Sequence, residues 1–196
     1  MGQPKAFLDW QGQPLWRHVA GVLRNCVDLL IVVGARTTVP PPLDAGIEWV
    51  SDRDDFAGPL AGLERGLEAL PLSVTSVFLT GCDTPFISTH LIQSLFANRG
   101  QFAAIVPVDE NDRAHPLCAV YGVEAIRPVV RPLRQEGERR MMRLLSAVSV
   151  KWIKPEDFPA LGWTAEQLRN LNTPEQYADA MQGSQKSFHQ EDLMES

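Results

Sequence analysis

The sequence has few cysteines and no long apolar run, and both absences narrow the choice of protein class. Cys26, Cys82 and Cys118 are far apart and odd in number, so they form neither a zinc motif nor a disulfide framework. This cysteine usage fits a reducing cytoplasm. The longest apolar run, from Leu29 to Val33, is far too short for a membrane span, and we expect no signal peptide.

The sequence also lacks any run of Lys or Arg. Its formal net charge is −6, so we expect no nucleic-acid partner and no membrane-surface binding. Its 196 residues are 44% hydrophobic and 21% charged, which is ordinary for one globular domain with a buried core. We predict a single domain over residues 1–182. The tail over 183–196 is polar and without periodicity, and we predict that it is disordered.

Strand-like runs alternate with helical patterns through about the first hundred residues. Residues 27–33 form a β-rich run, and Leu60, Leu63 and Leu67 mark one face of a helix that follows Gly58-Pro59. This alternation predicts a three-layer α/β fold with a mostly parallel sheet. Residues 125–147 have a helical pattern interrupted by prolines, which predicts a break or kink and then a second helix over 138–147.

The stretch from Phe78 to Phe86 carries the clearest chemical signal. It has the pattern of the end of a buried strand, then Gly81 and Cys82, a single acid at Asp83, and a Thr-Pro turn. The strand would deliver the Asp83 carboxylate to the carboxyl edge of the sheet, where ligands bind in open α/β folds. A hard carboxylate there suits Mg²⁺ held partly by substrate phosphates. The alternative is a turn aspartate that caps the following helix.

Seven short motifs follow one another along residues 1 to about 181. They are Met-Gly-x-x-Lys-Ala at 1–6, Gly-Gln-Pro-Leu at 12–15, Gly-Pro-Leu-Ala-Gly-Leu at 58–63, Cys-Asp-Thr-Pro-Phe at 82–86, His-Pro at 115–116, Gly-Glu-Arg-Arg at 137–140 and Asn-Leu-Asn-Thr-Pro-Glu at 170–175. Together they resemble the molybdenum cofactor guanylyltransferase family. The resemblance implies a Rossmann-like nucleotidyltransferase that binds GTP and Mg²⁺. Such an enzyme transfers GMP to molybdopterin, or to its Mo-bearing form, and releases pyrophosphate.

The resemblance also implies which residues meet the nucleotide. They are Lys5, Asp52, Gly58 and Asp83. Asp83 matches the magnesium-binding aspartate and Lys5 the lysine that contacts the GTP phosphates, so these two are the implied catalytic residues. The spacing at Asp52 is one residue short of the family pattern, and Asp54 or Asp55 could take its place. Gly58 would let the backbone approach the nucleotide.

A second set of residues is implied on the acceptor side. They are Arg113, His115, Arg139, Arg140, Asn170 and Asn172. Arginine suits bidentate binding of the pterin phosphate, but neighbours on one helix would not both face the site. His115 could instead be a plain loop histidine. Asn172 could merely lead into a helix that Thr173 caps, with Gln176 completing a capping box.

The front of the family pattern is absent from the sequence. Members begin with a strand and a Gly-rich phosphate loop, whereas here only Met1 and Gly2 remain of that region. We expect a truncated start rather than a natural short form, on the ground that an internal Met lies where the given sequence begins. In a natural short form, the loss of a central strand would expose apolar sheet edges. We therefore expect little or no transferase activity from residues 1–196, and restoration by an upstream segment.

Other interpretations stay open from the sequence. One is a molybdopterin cytidylyltransferase or another nucleotidyltransferase of the same layout. Another is a non-catalytic protein that binds the cofactor without turnover. The family resemblance implies GTP and molybdopterin as partners, with molybdoenzymes or their chaperones as possible recipients of the product, in the cytoplasm.

Overall fold

The computed structural model describes residues 4–53 and 58–182 and confirms the α/β class. The predicted tail over 183–196 lies outside the described residues, as do Asp54 and Asp55. None of the helices in the described ranges is long and apolar enough to cross a bilayer.

Short helices and strands alternate along the chain. The strands are β1 (Asp9–Trp10), β2 (Gln13–Pro14), β3 (Leu30–Gly34), β4 (Ile47–Ser51), β5 (Ser76–Thr80), β6 (Ala104–Pro107), β7 (Cys118–Gly122) and β8 (Val150–Ile153). The helices are α1 (Leu15–Arg24), α2 (Pro59–Ala69), α3 (Thr89–Asn98), α4 (Val123–Gln135), α5 (Met141–Leu145), α6 (Phe158–Leu161) and α7, which begins at residue 174 and continues to residue 182. Single 3₁₀ turns cover Lys5–Phe7, Pro155–Asp157 and Ala165–Leu168.

The central layer is mostly parallel, as the alternation of strands and helices predicts. β3 and β4 pair in parallel, and a second ladder runs in the order β5-β7-β6-β8. In that ladder β6 and β8 are parallel, while β7 is antiparallel to both β5 and β6. Because α2 carries the chain from the end of β4 back to the start of β5, β5 runs in the direction of β4. Among the described strands of this layer, β7 alone runs against the rest.

Two apolar clusters cover the two faces of this layer. Leu23 of α1 and Leu91 of α3 pack against one face, with Ile105 of β6. On the other face Leu60 of α2 and Ile126 of α4 pack in a second cluster. Full burial of one such side chain contributes about 1.5–3 kcal/mol, so the sheet is held between two helical layers.

Two local predictions about residues 125–147 need correction. Of the predicted break or kink, the break does not occur, because α4 runs through Pro128 and Pro132 without interruption. Its buried side chains Ile126 and Val130 anchor the helix, and this packing outweighs the backbone hydrogen bonds that the prolines remove. The second helix is also shorter than 138–147 and covers only Met141–Leu145.

The layer is interrupted between β3 and β5. Among the described residues, β3 pairs only with β4, and β5 pairs only with β7. A cavity of about 670 Å³ lies between the two strands, which we call the β3–β5 slot.

Candidate functional site

The turn after β5 is fixed by a buried threonine. Thr84 is 1% exposed, and its Oγ1 donates to the carbonyl of Gly81 at 3.0 Å. The same hydroxyl shares a 2.8 Å hydrogen bond with Oγ1 of Thr80, the last residue of β5. Thr80 lies opposite Cys118 in the ladder with β7. The turn that carries Asp83 is therefore held at the carboxyl end of β5 by the strand and by its own side chains.

Asp83 lies half-buried on this turn, close against Gly81. A Cβ added to Gly81 would lie 2.5 Å from Oδ1 of Asp83, so the carboxylate occupies the space that glycine leaves open. The backbone carbonyl of Asp83 accepts a 2.8 Å hydrogen bond from the N–H of Leu171. That bond ties the β5 turn to the segment just before α7.

Lys5 reaches the same place from the start of the chain. Its Nζ donates to Oδ1 of Asn172 at 3.2 Å, across 167 residues of sequence. Asn172 follows Leu171, which bonds to the carbonyl of Asp83. The structure thus brings together Lys5, Asp83 and Asn172, which we call the carboxyl-edge cluster.

The pKa of Cys82 responds to the charges of this cluster. Burial, the largest cause, and the Asp83 carboxylate raise the pKa of its thiol, while a backbone hydrogen bond and the Lys5 ammonium lower it, and together they bring this pKa to about 11. The thiol is therefore neutral near pH 7, a state that makes a poor nucleophile.

The segment before α7 is held by the capping box that the sequence predicts. The amide N–H groups of Asn172 and Thr173 donate to Oε1 of Gln176 at 2.8 and 3.2 Å, and the N–H of Gln176 donates to Oγ1 of Thr173 at 3.2 Å. The backbone of Asn172 therefore leads into the cap, as one interpretation has it, and its exposed side chain bonds to Lys5, while its contact with an acceptor stays a prediction. Asn170 lies half-buried two residues earlier on the same segment.

Gly58 contacts the loop that carries the two predicted arginines. It precedes α2 with φ +84° and ψ 174°, a conformation that favours glycine. A Cβ here would lie 3.0 Å from Cβ of Arg139 and 3.1 Å from its carbonyl oxygen. The same carbonyl accepts a 3.3 Å hydrogen bond from the N–H of Leu60. In the described structure the close approach at Gly58 is thus to Arg139.

Arg139 and Arg140 are not neighbours on a helix, which corrects the sequence-based interpretation. Both precede α5, and both backbone N–H groups donate to Oε1 of Glu138, at 2.9 and 3.0 Å. The Arg140 guanidinium also binds this carboxylate, and its hydrogen bond is the main cause that lowers the pKa of Glu138 to about 2. Arg140 is therefore engaged, while the exposed side chain of Arg139 lies next to Gly58.

His115 and Arg113 belong to a loop built around Asp109. Nε2 of His115 lies 3.2 Å from Oδ2 of Asp109, and Oδ1 of the same carboxylate accepts from the N–H of Arg113 at 3.1 Å. Burial would raise the pKa of Asp109, but hydrogen bonds from the N–H groups of Asn111 and Arg113 and from His115 hold it below its usual value. The Arg113 side chain is exposed. With Nε2–H directed at Asp109, His115 can donate from Nδ1 to a phosphate only as imidazolium.

Among the described hydrogen bonds, Asp52 bonds only to the end of β3 and to its own neighbour in the chain. Its N–H donates to the carbonyl of Gly34 at 2.8 Å, and its Oδ1 accepts from the N–H of Arg53 at 2.8 Å. It follows β4, so it lies at the same edge of the sheet as the cluster, but no hydrogen bond joins it to Lys5 or Asp83 in the described ranges. The alternatives Asp54 and Asp55 lie outside the described residues.

The carboxyl-edge cluster suits a metal ion only if a substrate supplies most of the metal's ligands. Within residues 4–53 and 58–182, no three His, Cys, Asp or Glu side chains are grouped as for a metal ion. Asp83 is the single carboxylate of the carboxyl-edge cluster. Mg²⁺ is commonly held by one or two carboxylates together with phosphates and water. The cluster therefore fits a magnesium ion that arrives with a triphosphate.

Sequence reasoning missed three residues that shape the site. They are Thr84, Asp109 and Glu138, which hold the Asp83 turn, the His115 loop and the Arg139–Arg140 loop. Thr84 and Glu138 do lie inside the quoted motifs, at 82–86 and 137–140. Asp109 carries no such signal, because its hydrogen bonds depend on how the 109–115 loop folds.

Comparison with known proteins decides the family. The sequence matches the MobA-like NTP transferase domain over residues 1–150. The chain belongs to this family. It is therefore a nucleotidyltransferase, as the motifs led us to expect.

Individual relatives agree with this assignment. A protein from Bacillus cereus, named probable molybdenum cofactor guanylyltransferase, is 29% identical over 184 residues, covering 91% of this chain and 88% of the relative. The crystal structure of molybdopterin-guanine dinucleotide biosynthesis protein A from Archaeoglobus fulgidus has a TM-score of 0.75 at 19% identity, covering 94% of this chain and 92% of that one. The 2-C-methyl-D-erythritol 4-phosphate cytidylyltransferase from Thermus thermophilus has a TM-score of 0.72 at 18% identity, covering 93% and 94%. These two structures confirm the nucleotidyltransferase fold.

Proposed function

We propose that this nucleotidyltransferase transfers GMP from GTP to molybdopterin or its Mo-bearing form. The observation that carries the proposal is the carboxyl-edge cluster, in which Lys5, Asp83 and Asn172 meet where the strands end. The name of the Bacillus cereus relative supports the choice of nucleotide and acceptor. The product would serve molybdoenzymes or their chaperones in the cytoplasm.

The reaction places simple demands on these residues. A terminal phosphate oxygen of molybdopterin forms a bond to the α-phosphorus of GTP, the bond between the α- and β-phosphates breaks, and pyrophosphate leaves. Asp83 would hold Mg²⁺, which when bound neutralises negative charge on the triphosphate. The Lys5 ammonium would donate to a phosphate oxygen in place of its present bond to Asn172. Position and charge neutralisation supply most of the rate in such transfers.

The acceptor would contact the second set of predicted residues. Arg139 has an exposed side chain beside Gly58 and suits a phosphate. Arg140 contributes less directly, since Glu138 already binds its guanidinium. Arg113, His115, Asn170 and Asn172 remain proposed acceptor contacts, with Asn172 nearest to Lys5.

Equilibrium binding of GTP with and without Mg²⁺ tests the nucleotide half of the proposal. We expect GTP to bind at least about ten-fold more tightly with Mg²⁺, and more tightly than CTP. Asp83→Asn removes the carboxylate charge and should weaken Mg²⁺-dependent binding by about 10–100-fold. The matched control is Asp179→Asn on the exposed side of α7, which should bind GTP like the parent chain.

The acceptor half is tested by pyrophosphate release in the presence of molybdopterin. Little or no turnover stays our prediction for residues 1–196, so nucleotide binding is the primary readout for this chain. Equal or tighter binding of CTP would favour the cytidylyltransferase alternative and overturn the proposal. Molybdopterin binding without any Mg²⁺-dependent GTP binding would instead indicate a non-catalytic binding protein.

A further inference from the structure

The outer face of α4 carries two arginines that we call the α4 arginine pair. Arg127 and Arg131 lie about one turn apart on this helix, so their side chains are neighbours on one face. Arg131 is exposed and Arg127 is half-buried. Neither side chain takes part in a hydrogen bond or an ion pair within residues 4–53 and 58–182. On a chain with a formal net charge of −6, the pair is a local excess of positive charge.

The carboxylates of the neighbouring helix α2 already have other partners. Glu64 lies 3.5 Å from Nε of Arg134. Glu68 lies 2.8 Å from a guanidinium nitrogen of Arg53 and 3.3 Å from one of Arg65. These two glutamates are the acidic residues of α2, so this helix has no further carboxylate with which to neutralise the α4 arginine pair.

Two open grooves border the α4 arginine pair. The smaller groove, of about 470 Å³, lies between α2 and α4 and includes Leu67 and Val130 in its walls. The larger groove, of about 620 Å³, lies between α4 and the segment just before β5, where Leu72 is 95% exposed. Val74 and Val123 also line this larger groove. Apolar side chains therefore lie beside two cations, a combination that suits a ligand with both apolar and acidic groups.

The prolines of α4 add hydrogen-bond acceptors to the same face. Pro128 and Pro132 are exposed, line the larger groove and directly follow the two arginines in the chain. Neither proline has an N–H group. The carbonyl groups of Glu124 and Pro128 therefore lack the donor that a regular helix supplies four residues later. The face thus combines positively charged donors with backbone acceptors, which a peptide can match with its carboxylates and N–H groups.

The other charges along these grooves favour a peptide over a nucleic acid. Glu64 and Glu68 line the smaller groove, and Glu124 lines the larger one. A nucleic acid would bring closely spaced phosphate charges past these carboxylates. Its phosphates also have no hydrogen to donate to the carbonyl groups of α4. A peptide helix can instead present two carboxylates one turn apart, at the spacing of the α4 arginine pair, with apolar side chains beside them.

We propose that the α4 arginine pair and the larger groove form a docking surface for an acidic amphipathic helix of a partner protein. Two carboxylates of that helix, four residues apart, bind Arg127 and Arg131, and an apolar side chain next to them packs against Leu72 and Val74. The surface contains no residue of the carboxyl-edge cluster. The proposal therefore does not depend on which nucleotide or acceptor the protein uses.

Binding of synthetic peptides to the intact chain tests the proposal. One helical peptide of about 16 residues is built of Ala, Gln and Leu, with two Glu residues four apart beside the leucines. In the matched control peptide, Gln replaces both Glu residues. Fluorescence anisotropy gives the dissociation constants, and hydrogen exchange locates the contact. The test variant is Arg127→Gln/Arg131→Gln. The control variant is Arg24→Gln/Lys154→Gln, which removes the same charge at exposed positions outside α4.

We expect the Glu peptide to bind at least about ten-fold more tightly than the Gln peptide, and to bind less tightly as salt is raised. Arg127→Gln/Arg131→Gln should remove this preference, whereas the control variant should keep it. Bound peptide should slow amide exchange in α4 and in residues 72–74. In Arg127→Glu/Arg131→Glu the preference should reverse, so that a peptide with Lys in place of both Glu residues binds most tightly. GTP binding should stay unchanged in all these variants, because none of the substituted residues belongs to the predicted nucleotide or acceptor sites.

Four outcomes would overturn the proposal. Equal binding of the Glu and Gln peptides, or no binding of either, would show that the α4 arginine pair does not recognise a helix through its carboxylates. A preference for the Glu peptide that survives Arg127→Gln/Arg131→Gln would place the contact elsewhere. Tighter binding of a single-stranded oligonucleotide, lost in the same variant, would assign the face to a nucleic acid. A dimer of the intact chain that dissociates in this variant would assign the face to a second copy.

Discussion

Gly81→Ala moves the Asp83 carboxylate while leaving the fold in place. The added Cβ would lie 2.5 Å from Oδ1 of Asp83, whereas the next atoms are at ordinary contact distances of 3.6 and 3.8 Å. A carbon and an oxygen approach to about 3.3 Å at closest, so Oδ1 must move by about 0.8 Å. Gly81 is not among the described residues with positive φ, so its backbone conformation accepts alanine.

Gly81→Ala should affect GTP binding much more than it affects the free energy of unfolding. A displacement near 1 Å of a group at a reacting centre lowers the reaction rate by up to about 100-fold. We expect an effect of similar size on Mg²⁺-dependent GTP binding, which should weaken by about 10–100-fold. The free energy of unfolding should change by less than about 1 kcal/mol. Alanine restricts the unfolded chain by about 0.4–1 kcal/mol, and the rotated Asp83 side chain costs a similar amount.

The assay pairs Mg²⁺ titrations of GTP binding with urea unfolding of the same variant. Gly21→Ala is the control, since a Cβ at this position in α1 meets no atom within 4 Å. It should raise the free energy of unfolding by about 0.5–1 kcal/mol and leave GTP binding unchanged. Gly81→Ala with parental GTP binding would refute the reasoning, because the position of the Asp83 carboxylate would then have no bearing on the nucleotide.

Three further predictions test the parts of the site separately. Alkylation of Cys82, followed by peptide mass spectrometry, should give an apparent pKa of about 11 for its thiol. This pKa should fall in Asp83→Asn and rise in Lys5→Met, because the two charges act on the thiol in opposite directions. An unchanged pKa in both variants would contradict the cluster. Gly58→Ala forces a glycine-type backbone conformation on alanine and should destabilise the protein by about 1–3 kcal/mol in urea. Thr84→Val removes two buried hydrogen bonds and should lower the free energy of unfolding by about 1–2 kcal/mol, with partial rescue in Thr84→Ser.

Local patterns predict the parts of the site that local interactions build. The strand end before Asp83 is set by a short apolar run and a Thr-Pro turn, and the structure places it as expected. The capping box of Thr173 and Gln176 likewise depends on residues three positions apart. Both predictions hold because the interacting groups are close in sequence.

Contacts between distant segments could not be derived in this way. The bond from Lys5 to Asn172 spans 167 residues, and only the family resemblance named both residues. The helix expected over 138–147 failed for a related reason. The Glu138 carboxylate accepts from the following backbone N–H groups, and Arg140 takes an extended conformation that delays the helix to Met141. Packing of Ile126 likewise carries α4 through its prolines.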